Sequence, residues 1–349
     1  MHTINLDDRI IGSHHPTLII AEIGINHQGD LDIAKQLIQK AAECGADVVK
    51  FQKRKISRIL TREGLDMVYI NPNSFGKTYG EHKKALEFSE ADYVDLRQTA
   101  DRCGVLFTAS GWDEESIDFL MALNIPFFKM ASADLTNFPL LKHTALKGKP
   151  MLISTGMADL STVRQAFEYI RDINDRIALL QCTSTYPTPF DELNLNVITT
   201  YLREFPNAVI GYSGHELGIA IPPVAVALGA RIIERHFTLD RTMKGNDHAA
   251  SLEPQGFAKM VRDIRHVEKA LGSGEKIIQD SEKAVFVKLG KSIVTVCPIP
   301  AGSTITREML TTKGPGTGIS PIRMDEVVGK KNSVELAADV VITEEDIQW

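Results

Sequence analysis

The sequence predicts a (β/α)8 TIM barrel followed by a small β-rich domain, and three observations carry that prediction. Eight short apolar runs alternate with segments of helical periodicity between residues 18 and 272. The runs are continuously apolar, as expected of parallel strands buried on both faces. After Gly272 the pattern changes to a polar stretch and then to short strands with turns.

The strands read as TLIIAEIG, ADVVKFQ, VLFTAS, FFKMAS, PMLISTG, IALLQCTS, AVIGYSGH and RIIERHF. Between them lie amphipathic segments such as LDIAKQLIQKAAECG, SEADYVDLRQTADRCG and STVRQAFEYIRD, with Ser89 and Ser161 as expected N-caps. Eight strand–helix units in this order fit a closed barrel. The alternative, an open doubly wound sheet, would expect GxGxxG after its first strand, and EIGINHQGD does not supply it. The expected boundaries are 1–272 for the barrel, 273–288 for a linker and 289–349 for the small domain. In that domain PAGSTITREML (300–310) resembles AADVVITEEDI (337–347), which predicts two similar halves packed on each other.

At 349 residues the chain can hold a barrel of about 250 residues and a companion. Hydrophobic residues make up 43% and charged residues 24%, an ordinary globular composition. The net charge of −6 argues against nucleic acid as a partner. MHTINLDDRIIGSHHP lacks a signal-peptide pattern and no apolar run reaches the ~18 residues of a membrane span, so a cytoplasmic protein with no membrane partner is expected. Cys44, Cys103, Cys182 and Cys297 are scattered, without a CxxC pair or a disulfide framework.

Polar residues mark the end of each strand: Glu22, Lys50 with Gln52, Thr108, Lys129 with Ser132, Ser154, Thr183 with Ser184, Ser213 with His215, and Glu234 with His236. In a barrel these ends converge on one mouth, where barrel enzymes keep their chemistry. Strand ends are also polar for being near water, but that does not account for Lys50 and Lys129, each two residues beyond an apolar Val48 or Phe127. A lone histidine at a strand end is more often structural. Two at matching positions of successive repeats, His215 and His236, with Glu234 and Asp247 close by, fit a divalent-metal site with open positions. Two lysines about 4 Å from a dianion gain about 4 kcal/mol each at an effective dielectric of 20. Glu22, Asp134, Glu234 and Asp247 are the candidate acids and bases. The connection from the second strand to Ser89 is long enough for a lid, and its Lys77, His82, Lys83 and Lys84 either meet an anionic substrate tail or form a solvated surface.

Several segments go further. AEIGINHQGDLDIAKQLI, GADVVKFQK, FTASGWDE, PFFKMASAD, ISTGM, QCTSTYPTP, IGYSGHELGIAI and LGARIIERHFTLDRTMKGNDHAASLEP together resemble the sialic acid synthase family. GKTYGEHKKALEFS and SGHELGIAI are most similar to its animal-type enzymes, and PIPAGSTIT resembles the antifreeze-like (SAF) domain that follows the barrel.

The resemblance implies condensation of phosphoenolpyruvate with N-acetylmannosamine or its 6-phosphate, giving N-acetylneuraminate or its 9-phosphate. By motif it implies that His215 and His236 bind Mn2+ or Mg2+, and that Lys50, Lys129, Ser132, Ser154, Ser184 and Ser213 hold phosphoenolpyruvate. It assigns Gln52, Tyr186 and Asp247 to the amino sugar and Glu22 with Asp134 to protons and water; Lys77 and Lys83 are expected as further sugar contacts from their charge in the long connection, not from the resemblance. It also implies a domain-swapped homodimer. Synthesis of a related nonulosonic acid, legionaminic or deaminated, is the alternative product; a non-catalytic sugar-binding protein is the alternative class.

The chain departs from the bacterial pattern in having Asp134 for glutamate and Ser184 for asparagine, both as in the animal type. The bacterial KRPGNG motif is replaced by Lys313-Gly314-Pro315-Gly316-Thr317-Gly318, so the arginine is missing at position 314, and Lys313 or Arg323 is its expected substitute.

Overall fold

The structure, a computed structural model, describes residues 2–6 and 9–349. Met1–Gly272 and Ser273–Trp349 form two compact units. In the first, eight parallel strands close into a barrel in chain order: β1 Leu18–Gly24, β2 Val48–Lys53, β3 Leu106–Gly111, β4 Phe128–Met130, β5 Met151–Ser154, β6 Ile177–Cys182, β7 Val209–Gly214 and β8 Ile232–His236. The last pairs with the first, placing His236 beside Glu22. The eight expected strands are therefore the eight observed, with ends shifted by one or two residues.

Alternation along each strand sorts the apolar residues into two layers. Ile19, Ala21 and Ile23 of β1 join the cluster between barrel and helices, whereas Leu18 and Ile20 join Val48, Phe127, Leu152, Leu180 and Ile232 inside the barrel. The interior cluster also takes in Ile4, Leu6 and Ile11 from an antiparallel hairpin, Thr3–Leu6 with Arg9–Gly12. Burying these three side chains contributes about 2 kcal/mol each. The hairpin fills the barrel beneath the layer of polar residues at its mouth, and it was not foreseen from the sequence.

Ser89 caps the helix Glu90–Arg102 as expected, in a capping box with Asp92. Ser161 does not cap the next predicted helix. Asp159 does, accepting from Thr162 N–H at 2.8 Å, and Ser161 lies inside Leu160–Arg171 with its hydroxyl turned back to Asp159. A carboxylate at the N-cap takes the orphan N–H and faces the positive end of the helix dipole.

The long connection after β2 folds into three short helices, Ile56–Ile59, Arg62–Asp66 and Tyr79–Ala85. His82 is its core, with the rings of Tyr69, Phe75 and Tyr79 at 4.8, 5.9 and 6.1 Å. Burial, with Lys83 and Arg54 nearby, pulls His82 down to about 4, so it is a neutral packing residue and not a substrate cation. The connection docks on the loop after β8: Asn246 donates to the Tyr69 hydroxyl at 2.7 Å, and Lys244 lies 4.7 Å over the Phe75 ring.

In the second unit the polar stretch read as a linker is half helical, because Asp280–Leu289 forms a helix capped by Gln279 and Glu282. The two expected halves are present. Thr306 and Thr343 each precede a 3-10 turn, Arg307–Met309 and Glu344–Asp346, that leads into a strand, and Ile305 and Ile342 are both fully buried. The two expected substitutes for the missing arginine are already engaged within the unit. Lys313 pairs with Asp339; Arg323 pairs with Glu344 and Glu326 and lies over the Trp349 ring.

Candidate active site

The inward residues at the C-terminal ends of the strands enclose a cavity of about 270 Å³. Glu22, Lys50, Gln52, Lys129, Ser132, Ser154, Ser184, Tyr186, Ser213, His215 and His236 all line it, so eleven of the fifteen expected site residues converge on one place. Ser110, Trp112, Cys182 and Glu234 line it too. Thr108 and Thr183 do not: Thr108 sits one layer down, its hydroxyl donating to the Phe127 carbonyl, and the Thr183 hydroxyl turns to the Glu192 carbonyl.

Four buried charges form the floor. Lys50 Nζ lies 2.8 Å from Glu22 and 3.5 Å from Glu234, and Lys129 Nζ lies 3.5 Å from Glu234. Neighbouring polar groups add hydrogen bonds, although Oε2 of Glu22 and Oε2 of Glu234 accept none of them. Lys129 donates to Ser154 at 2.6 Å, Lys50 to Ser110 at 3.3 Å, Ser213 to Glu234 at 3.0 Å and Gln52 to Glu22 at 3.1 Å. Burial opposes the charge on Glu234, yet Lys129 and Lys50 together outweigh it and hold this carboxylate near 2. For Glu22 burial wins over Lys50, with Glu234 adding repulsion, and its carboxyl is raised. Environment alone thus holds one acid as an anion and shifts the other toward its protonated form.

The two histidines meet at the rim, their ring centroids 5.3 Å apart. Nδ1 of His215 is tied to the Thr183 carbonyl at 2.8 Å, which directs its other nitrogen elsewhere. Nδ1 of His236 is buried without a hydrogen-bond partner, 3.7 Å from Asp247. Burial, only partly offset by Asp247, keeps His236 neutral down to about 4, the form in which imidazole binds a metal. Among the described residues no three His, Cys, Asp or Glu side chains are grouped so as to hold a metal ion, and the histidine pair is the candidate ligand set here. Tyr186 packs against His215 at 4.0 Å.

These features have counterparts in known proteins. Residues 37–276 match the NeuB family and residues 290–348 the SAF domain. The chain belongs to the NeuB family. It is 50% identical over 341 residues to the N-acetylneuraminate-9-phosphate synthase of Mus musculus, covering 97% of this chain and 95% of that one. It is 40% identical over 343 residues to the N,N'-diacetyllegionaminic acid synthase of Legionella pneumophila, covering 97% and 96%. The crystal structure of the N-acetylneuraminic acid (sialic acid) synthetase of Leptospira borgpetersenii in complex with citrate matches with a TM-score of 0.71 at 33% identity, covering 81% of this chain and 96% of that one. The family and SAF domain read from the motifs are the ones matched, and no helix is long and apolar enough to cross a membrane among the described residues.

Four expected residues stand off the NeuB cavity. Asp247 stands behind His236 rather than on the cavity wall. Lys77 is exposed, and Lys83 is half-buried with its ammonium over the Tyr79 ring at 5.0 Å. Burial and Arg54 pull Lys83 down to about 8. Asp134, in the 3-10 turn Ser132–Asp134, accepts from Asn137 at 3.1 Å and leaves Oδ2 buried and unpartnered. All four lie on loops or helices past the strand ends, where period two no longer dictates direction.

Burial, against the Asn137 hydrogen bond and with Asp113 nearby, raises Asp134 to about 6 from an ordinary 3.8. A carboxyl raised on folding weakens the fold as the pH climbs from about 4 to 6, because the unfolded chain ionises first. The full penalty, about 3 kcal/mol, holds above pH 6. Asp134→Asn is therefore expected to melt several degrees above wild type at pH 7.5, with the gain vanishing near pH 4. Equal melting temperatures at pH 7.5 would count against a buried, unpartnered charge.

Proposed function

We propose that the protein condenses phosphoenolpyruvate with N-acetylmannosamine 6-phosphate to give N-acetylneuraminate 9-phosphate and inorganic phosphate. The observation that carries this reading is the placement of two buried lysines, Lys50 and Lys129, in the same cavity as two histidines on adjacent strand ends. A non-catalytic sugar-binding protein has no use for four buried charges around a barrel mouth. The 9-phosphate product is supported by the 50% identity to a relative of that name, against 40% to a legionaminic acid synthase.

Lys50 and Lys129, with the hydroxyls of Ser132, Ser154, Ser184 and Ser213, form the seat for the phosphate and carboxylate of phosphoenolpyruvate. Gln52 and Tyr186 stand on the wall for the sugar. The methylene carbon of phosphoenolpyruvate bonds to the acceptor's aldehyde carbon, and the aldehyde oxygen takes a proton. Water then adds to the resulting cation, gives up a proton, and phosphate leaves with C–O cleavage. Glu22, raised by burial and oriented by Gln52, is the wall carboxyl suited to give the first proton and take the second. A divalent ion, Mn2+ or Mg2+, bound by His215 and His236 would polarise the aldehyde, worth several kcal/mol. The close approach of the two rings, with Nδ1 of His215 tied back to the Thr183 carbonyl, fits such an ion. The active form is a domain-swapped homodimer, as the resemblance implies.

The acceptor's phosphate has a basis in Arg54. It is 3% exposed and donates to Gln52; its Nη1 lies 3.8 Å from the Glu87 carboxylate without a hydrogen bond, and its Nε has no hydrogen-bond partner. Buried guanidinium N–H groups left open are costly unless an anion takes them. Phosphate release measured with phosphoenolpyruvate and either acceptor is expected to favour the 6-phosphate. Arg54→Gln and Lys83→Gln are expected to raise KM for the 6-phosphate about tenfold and leave that for free N-acetylmannosamine unchanged. Faster turnover of the free sugar by wild type would reverse the acceptor assignment, and no phosphate release with either would remove the synthase reading.

A further inference from the structure

Behind the two histidines, on the outer face of the barrel wall, lies a buried ion pair that the chemistry above leaves unused. Arg235 and Glu216 are both fully buried, and Nη1 of Arg235 donates to Oε1 of Glu216 at 2.6 Å. The guanidinium also donates to the main-chain oxygens of Glu216 at 2.5 Å and Gly218 at 3.0 Å, so it grips the loop after β7 by its backbone as well. The Tyr212 hydroxyl donates to the other carboxylate oxygen at 2.7 Å. A methyl group on Gly214 would collide with that oxygen and with the Tyr212 ring, so glycine leaves the space this arrangement needs.

Each partner is the chain neighbour of a proposed metal-binding histidine. Glu216 follows His215, and Arg235 precedes His236 and pairs in register with Gly214 of β7. The flanking outward positions on that edge, Ile233 and Phe237, are apolar, as a helix-covered strand requires. A buried ion pair contributes little net stability compared with apolar side chains of its size. Charge at this one position is better explained by geometry. His215 lies past the last residue of β7, and its contacts with Thr183 and Thr188 come from the β6 side only. The guanidinium supplies the hold from the β8 side.

We propose that Tyr212, Glu216 and Arg235 are positioning residues that fix His215 relative to His236 and so set the affinity for the divalent ion. The inference rests on the metal reading of the two histidines. Its test is Mn2+ binding to the full chain, read from the electron paramagnetic resonance signal of the free ion, alongside thermal melts. Wild type, Tyr212→Phe, Glu216→Gln and the apolar pair Glu216→Leu with Arg235→Met are compared.

Tyr212→Phe is expected to stay folded and to bind Mn2+ about tenfold more weakly. The apolar pair is expected to keep a near wild-type melting temperature and lose about 100-fold in affinity, the range seen when groups behind a metal ligand are changed. In both, turnover should recover as Mn2+ is raised. Glu216→Gln is expected to fall between them; should it fail to fold, the other two variants carry the test. Folded variants with unchanged Mn2+ affinity overturn this inference and leave the metal reading standing. Wild-type protein that takes up no Mn2+ overturns both.

Discussion

His236→Ala is expected to cut turnover by about three orders of magnitude while leaving the barrel folded. The expectation of a folded variant comes from the partners of the ring. Nδ1 of His236 makes no hydrogen bond and its approach to Asp247 is long, at 3.7 Å, so truncation strands no hydrogen-bonded partner of Nδ1. The strand itself is held by main-chain pairing to β1 and β7, which alanine preserves. The cost in stability should therefore be about 1 to 2 kcal/mol, from lost packing. The cost in rate is larger because one of two imidazoles for the ion is gone, and several kcal/mol of carbonyl polarisation corresponds to about a thousandfold. Phosphate release, a circular-dichroism melt and Mn2+ uptake on the same sample separate these effects. Near wild-type turnover in a chelator would falsify the metal reading.

The barrel and most of its cavity were legible in the sequence because both follow from period two. Once β2 is placed, Val48, Lys50 and Gln52 must share a face, and the change from apolar to charged along that face marks the mouth. The same rule reaches Ser110, the last residue of the expected strand VLFTAS, and Ser110 is the one that pairs with Lys129 at the mouth. Thr108, the polar residue expected there, lies one layer down. What lay beyond the strands was less legible. Asp134 and Asp247 sit in turns whose direction depends on tertiary contacts, and Lys77 and Lys83 show charge in sequence without showing where it points. His82 reads as basic and is a neutral core residue, since three aromatic rings from the same loop close around it. The N-terminal hairpin escaped because Ile4, Leu6 and Ile11 are scattered among polar residues and gain meaning only against the barrel interior. The Glu216–Arg235 pair joins the loop after β7 to β8, so neither residue alone announces it.

Glu234→Ala is the second substitution with a large expected effect, and it acts on stability and on anion binding in opposite senses. Glu234 is the carboxylate partner of Lys129 among the described residues, and it also lies 3.5 Å from Lys50 and accepts from Ser213. Removing it leaves the ammonium of Lys129 buried against a serine hydroxyl and a main-chain carbonyl. Breaking a buried pair in this way costs about 3 to 5 kcal/mol, because the stranded charge has lost its compensation. In a unit of this size that corresponds to a melting temperature lower by about 10 °C. The same stranded charge should welcome an anion. Inorganic phosphate at a concentration well above its Kd stabilises by mass action, about 2.7 kcal/mol at a hundredfold excess. It is therefore expected to raise the melting temperature of Glu234→Ala by more than it raises that of wild type, where Glu234 competes for the same lysines. Lys129→Met in the Glu234→Ala background should abolish that extra gain, since the cation that recruits phosphate is then gone. Equal phosphate stabilisation of wild type and Glu234→Ala would place the anion seat away from Lys50 and Lys129.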